Sequence, residues 1–259
     1  MPTSDIRVTG TTNLTSGSDT LKALSKVRVS GQVYTDGLPN LGYNGTLQAT
    51  LFDKLTQHIT KGDENAPFNF STRDNAIFRG QASIRNGQFD IEFIVPKSID
   101  PAVSYGKLAL YAFSASADLT GENSLIKIGS AEKSPGADTK GPVIDLFMGD
   151  STFVSGGIAG SSSRIVAILT DANGINISNF VPQNSITAIL DDTLTISLNK
   201  YFQSDANNYQ RGEKSIIPLI ILSRAVISLH FEPPILSATV PLRPFHFTFP
   251  IKVEFRLNN

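Results

Sequence analysis

The chain has 259 residues with 22 basic and 23 acidic side chains, a net charge of −1, 40% apolar and 17% charged residues. That balance, with no run of Lys or Arg, argues against nucleic-acid binding, and the composition is that of a globular chain. The absence of cysteine removes disulfides, thiolate metal ligands and a Cys nucleophile together.

This length predicts one or two domains. The opening MPTSDIRVTG has neither a basic nor an apolar segment of the kind a signal peptide needs. The longest apolar run, Pro218 to Leu222, is far too short to cross a bilayer, so no membrane span is expected. With 16 Phe and no Trp, Phe is the expected bulky core residue.

Ser25–Val33 alternates cleanly and then meets the turn residues Asp36-Gly37 and Pro39-Asn40. Thr46–Phe52 reads as a second strand, and the polar stretch Thr60–Asn75 as a loop. From Ala76 to Val95 the period of two returns. Phe78, Gly80, Ala82 and Ile84 form one apolar row; Phe89, Ile91, Phe93 and Val95 form another after Asn86-Gly87. Asn-Gly tolerates the positive φ of a two-residue turn, so a half-buried antiparallel hairpin is expected. Lys107–Phe113 and Leu125–Ile128 complete the first block. Residues 130–142 carry two Pro, two Gly and no large apolar side chain, which predicts a linker.

A second β block opens at Val143–Phe147, and Arg164–Leu169 leads into Asp171-Ala172-Asn173-Gly174 much as Ser25–Val33 leads into Asp36-Gly37. Asn199–Phe202 makes at most one helical turn. After Leu219 the alternation degrades, and Pro233, Pro234, Pro241, Pro244 and Pro250 interrupt what should be closing strands. The expected fold is therefore all-β: two consecutive Ig-like β-sandwich domains over 1–129 and 143–219, a linker at 130–142, and the second sandwich left incomplete by an aberrant tail over 220–259.

Chemistry-bearing residues do not cluster. His58, His230 and His246 lack ligand-spaced partners, and no Gly-x-Ser-x-Gly elbow precedes a helix. Asp191-Asp192 reads as a hairpin turn. Asp171–Gly174 resembles the start of a Ca²⁺ loop but lacks the distal Glu, and a turn is the favoured reading. Asn13, Asn44, Asn69 and Asn176 head glycosylation-type triplets of the kind chance produces in such a sequence. Tyr34, Tyr43 and Tyr105 lie scattered near turns, thin support for a sugar platform. No catalytic residue, metal ligand or cofactor is expected.

Several segments occur in an order that resembles a known bacterial family. They are Asn44–Leu47 leading to Phe52-Asp53-Lys54, Phe78-Arg79-Gly80 with Asn86–Phe89, Phe93–Lys97, Gly106-Lys107-Leu108 with Leu110-Tyr111-Ala112, Gly141–Ile144, Gly149–Phe153, Asp171–Asn176 and Ile189–Asp192. Over about Leu21–Leu219 they are similar to the β-rich region downstream of the peptidase domain in PorU-type sortases of the type IX secretion system of Bacteroidetes, which are gingipain-like C25 cysteine peptidases. The family uses a Cys and a His in an upstream caspase-like domain to remove C-terminal sorting signals and join cargo to the cell surface. This chain has no such Cys. Around Asn179–Asn184 it departs from the family's Gly-rich segment with His-Asp, so no role of that His carries over.

The resemblance also bears on the tail. Reading Ser223–Ile227 one base out of register allows Glu-Pro-Gly-Arg-His, similar to the family's closing strands, which predicts a frameshift near Ile220–Ser223. The role implied is a non-catalytic accessory region whose partners are an upstream peptidase domain or secretion-system components, at the outer membrane or cell surface. The alternative is a stand-alone carbohydrate- or protein-binding surface module; an independent hydrolase ranks last. A protease-resistant fragment ending within Ser130–Pro142 is expected.

Overall fold

The computed structural model describes residues 3–63, 65–132, 141–154, 164–181, 186–190, 194–218, 225–230 and 251–253. Its described residues are built almost wholly of strands, and they bear out the all-β expectation. The first eleven are β1 (Ser4–Asn13), β2 (Thr20–Ala23), β3 (Lys26–Thr35), β4 (Leu38–Pro39), β5 (Gly45–Phe52), β6 (Thr56–Ile59), β7 (Asn69–Thr72), β8 (Ala76–Ile84), β9 (Gln88–Ile94), β10 (Ser104–Phe113) and β11 (Asp118–Ala131). One sheet sets β1, β4 and β9 around β3; the other runs β2-β11-β10-β5-β8; β6 and β7 form a separate ribbon. All pairings here are antiparallel except β11 with β2.

The expected hairpin around Asn86-Gly87 is present only at its tip. Asn86 and Gly87 take φ of 50° and 72°, and Arg85 bridges Gln88. Beyond that the strands part: β8 pairs with β5 and β9 with β3, in opposite sheets. Each strand's apolar row then faces the other across the sandwich rather than lying on a shared face. Phe78 and Phe93 stack there with ring centres 4.3 Å apart. Phe89, Ile91, Phe93 and Val95 from one side and Ala82, Ile84, Leu47, Leu51 and Leu108 from the other are all buried in this core. Burial of each large side chain contributes about 1.5–3 kcal/mol.

Later elements are β12 (Val143–Met148), β13 (Arg164–Thr170), β14 (Thr187–Leu190), β15 (Leu194–Ser197), a one-turn 3₁₀ helix at Asn199–Tyr201, β16 (Arg211–Pro218), β17 (Ala225–His230) and β18 (Ile251–Val253). They form two further sheets, β12-β13-β16 and β15-β14-β17-β18. A second core gathers Ala167, Leu169, Ile177, Ile186, Ala188, Leu198 and Phe202.

Three sequence expectations read differently here. β11 continues through Ser130 and Ala131, the first residues assigned to the linker, while residues 133–140 lie outside the described part. The loop expected over Thr60–Asn75 contains β7. In the tail, Ala225–His230 and Ile251–Val253 pair as strands with β14 and with each other. All five interrupting prolines lie outside the described residues. The rest of the tail, including Ile220–Ser223, lies outside the described residues.

Candidate functional site: the junction of the two sandwiches

β8 is the last strand of its sheet, and the segment after the 3₁₀ helix runs along its open side. Ser204 N–H donates to Arg79 O at 2.9 Å and Asn207 N–H to Gln81 O at 3.0 Å. The Asn207 side chain then mimics a further strand residue: its Oδ1 accepts from Ser83 N–H and its Nδ2 donates to Ser83 Oγ, both at 2.9 Å. Gly80 permits this approach, because a Cβ there would sit 2.3 Å from Ser204 Oγ.

Arg79, the residue before Gly80 on β8, caps the 3₁₀ helix. Its Nη1 donates to the carbonyls of Lys200 at 3.0 Å, Asn199 at 3.2 Å and Phe202 at 3.4 Å. Burial lowers its pKa, yet a guanidinium stays charged at neutral pH, so one cation collects three carbonyl dipoles, of which Asn199 O also accepts Phe202 N–H at 3.3 Å.

Behind Arg79 lies a chain of buried polar groups. Asp53 accepts from Lys54 Nζ at 2.8 Å, and the same ammonium donates to Asp100 O at 2.9 Å. Ser178 Oγ donates to Ser98 O at 2.5 Å, within 3.2 Å of Asn75 Oδ1, which also accepts Asn179 N–H at 2.9 Å. Asn176 reaches Ser98 Oγ at 2.7 Å, and Asn199 binds Ile177 O at 3.0 Å and Ile186 N–H at 2.5 Å. Polar groups buried this deeply are tolerated because they are paired. Apolar contacts cross the junction too: Phe52 and Ala76 pack with the second core, and Tyr209 packs on the first.

Beside the junction opens a cleft of about 470 Å³, lined by Arg28, Asp90, Ile91 and Glu92 on one side and Gln81, Ser204 and Asn207–Gln210 on the other. Its charges are largely cancelled. Glu92 accepts from Lys26 at 2.8 Å and from Arg28 Nε at 2.9 Å. Lys26 foremost, then Arg28, holds that carboxyl below the usual glutamate range, and Glu92 raises the Lys26 ammonium in return.

The residues singled out by sequence do not converge here. His58 sits on the β6–β7 ribbon, stacked on Phe70 at 5.3 Å with Nε2 2.8 Å from Thr72 Oγ1. The side chain of His230, and all of His246 and Asp191-Asp192, lie outside the description. Asp171 accepts Asn173 N–H at 2.7 Å on Oδ1, and Gly174 has φ +80°, so Asp171–Gly174 forms an Asx turn. Among the described residues, no three His, Cys, Asp or Glu gather into a metal-holding group.

Asn13 is fully buried and Asn176 is engaged with Ser98 and Ser178, whereas Asn44 and Asn69 are exposed. Tyr43 is buried with its hydroxyl on Ala117 O, and Tyr34 lies under Arg7. Tyr105 is exposed near the start of β10, and Tyr111 and Phe113 are exposed further along the same outer face, stacked at 5.9 Å. Their spacing of two within a strand was the available signal, and it was missed. Missed as well was the Asn207–Gln210 wall, because nothing in that local sequence names β8 as its partner.

No protein-family model and no curated protein matches the chain. Among solved structures it aligns with dimeric latent PorU from Porphyromonas gingivalis, at TM-score 0.53 and 25% identity, over 100% of this chain and 25% of that one. The fold is PorU-like. The chain spans about a quarter of PorU's length. Spo0M, a sporulation control protein from Bacillus subtilis, aligns at TM-score 0.28 and 10% identity over 77% of this chain and 80% of its own.

Proposed function

We propose that this chain is a non-catalytic accessory β region of a type IX secretion sortase, which carries or orients a caspase-like peptidase domain or docks secretion-system components at the cell surface. The observation that carries the reading is the likeness to PorU along the whole chain. The absence of any cysteine supports it, since a C25-type peptidase needs a Cys nucleophile. The bonded junction suits a part that holds its neighbours in fixed relation. Sequencing the locus tests the reading: an adjoining upstream frame for a caspase-like His/Cys domain is expected, and a stand-alone gene would refute it. The same sequence decides whether one frame runs through Ile220–Ser223.

A second reading, a carbohydrate-binding surface module, draws on the stacked, exposed Tyr111–Phe113 pair. Flat aromatic faces on a rigid sheet suit sugar rings. Affinity electrophoresis in neutral polysaccharide gels tests it: retardation lost in Tyr111→Ala would favour this reading over the first.

A further inference from the structure

β9 is an edge strand beside the cleft. Among the described residues it pairs in a ladder with β3 only. Val95 donates its N–H to Ser25 O at 3.0 Å and Gly87 O accepts from Val33 N–H at 2.8 Å, so the odd-numbered residues turn their main chain toward β3. The register is unbroken from Lys26↔Ile94 to Gln32↔Gln88. Strand alternation therefore directs the N–H and C=O of Asp90 and Glu92 the other way. Among the described residues those four groups have no hydrogen-bond partner.

Asp90, Ile91 and Glu92 line the cleft. The geometry points to a binding site for an extended peptide strand of a partner protein, added to β9 along Asp90–Glu92 and walled on its far side by Asn207–Gln210. A strand lies about 4.8 Å from its neighbour, and main-chain pairing of this kind holds peptides irrespective of much of their sequence. Charge selects one feature. Arg28, Asp90 and Glu92 line the cleft with a formal sum of −1, and Arg28 is already engaged by Glu92. Asp90 Oδ1 accepts Ser30 Oγ at 2.6 Å, and Oδ2 has no hydrogen bond among the described residues, so the bound strand carries Lys or Arg opposite Asp90. This site stands on β9 itself, and its failure would leave the accessory-region reading untouched.

The test is fluorescence anisotropy of the full chain with a labelled, end-blocked hexapeptide, Val-Thr-Lys-Thr-Val-Thr. Saturable binding is expected, weakened about tenfold when the peptide Lys is changed to Glu, the equivalent of one charge-assisted contact. N-methylation of alternate peptide nitrogens should abolish it in the register that faces β9 and spare it in the other. Asp90→Pro should weaken it at least tenfold with only a small fall in melting temperature, because the exposed Ser30 hydrogen bond is lost with it while Pro is tolerated where a strand N–H faces outward. No binding by the unaltered chain, or equal binding of both N-methylated peptides, overturns the proposal, and that comparison stands even if Asp90→Pro misfolds. Displacement of the peptide by cellohexaose would assign the cleft to a sugar and overturn it too.

Discussion

Asn13 Nδ2 donates to Glu132 Oε1 at 2.9 Å, joining the end of β1 to the residue after β11 across 119 positions of sequence. The same amide donates to Thr20 O at 3.0 Å, and its Oδ1 accepts the N–H groups of Thr15 and Ser16 at 3.0 and 3.1 Å. Glu132 also accepts Ser16 Oγ at 2.8 Å. This fully buried side chain satisfies four groups at once, and truncating it leaves the Thr15 and Ser16 N–H groups without that acceptor, while Thr20 O keeps Ser18 Oγ and Glu132 keeps Ser16 Oγ. Asn13→Ala should therefore cost about 2–3 kcal/mol, read from the urea midpoint. A loss below about 0.5 kcal/mol would show that water replaces the amide.

Acid should weaken the fold through two carboxylates. Burial raises the Glu132 pKa, but hydrogen bonds from Asn13 and Ser16 and the charge of Lys22 outweigh it, and the net shift is downward. Glu92 is lowered as well, by Lys26 first and then Arg28. In the unfolded chain both titrate near pH 4.3. Their contributions are thus fully present above that value and are lost as pH falls through the lower folded values. Urea midpoints measured between about pH 5 and pH 3 should decline, and Glu92→Gln should make the decline shallower. An unchanged slope would remove Glu92 from the account.

Arg79 ties β8 to the turn at Asn199–Phe202, and its loss should loosen the junction. Hydrogen bonds from a charged donor contribute about 1.5–3 kcal/mol, and Arg79→Ala strips three carbonyls of theirs. Trypsin offers a direct assay, since Lys133 and Lys140 lie in the sequence read as a linker. After cleavage there, the halves of the unaltered chain should co-elute in gel filtration, held by the junction; those of Arg79→Ala should separate. Separation of the unaltered halves would mean the junction is too weak to act as a hinge-free joint.

Gly87 and Gly10 make a matched pair. Gly87 has φ +72°, and a Cβ would meet Asn40 O at 2.1 Å. Gly87→Ala should cost about 2 kcal/mol or more. At Gly10 nothing lies within 4 Å of the added carbon, so Gly10→Ala should stay within about 1 kcal/mol of the parent. Thermal melts of the two variants, side by side, check both.

Local pattern carried much of the fold. The rows Phe78–Ile84 and Phe89–Val95 are legible as strands because a period of two needs only neighbouring residues, and Asn86-Gly87 names its own turn. What local pattern cannot carry is the choice of partner. The same alternation serves a hairpin or two strands that part into facing sheets, and only the pairing of β8 with β5 and β9 with β3 decides. Asn13 reads as a glycosylation-type triplet until Glu132 is brought to it. The junction was least legible of all: Asp53, Lys54, Asn75 and Ser178 look like ordinary surface polar residues, and their burial depends on partners more than twenty positions away.

Ser83 bonds Asn207, which follows it by 124 residues. A ribosome adding about 5–20 residues per second needs roughly 6–25 s to supply that partner. Throughout this interval the outer rim of β8 stands bare in the nascent polypeptide, a tacky template for any passing strand. The chain thus has reason to need a chaperone at this edge until residue 210 has emerged and closed the rim.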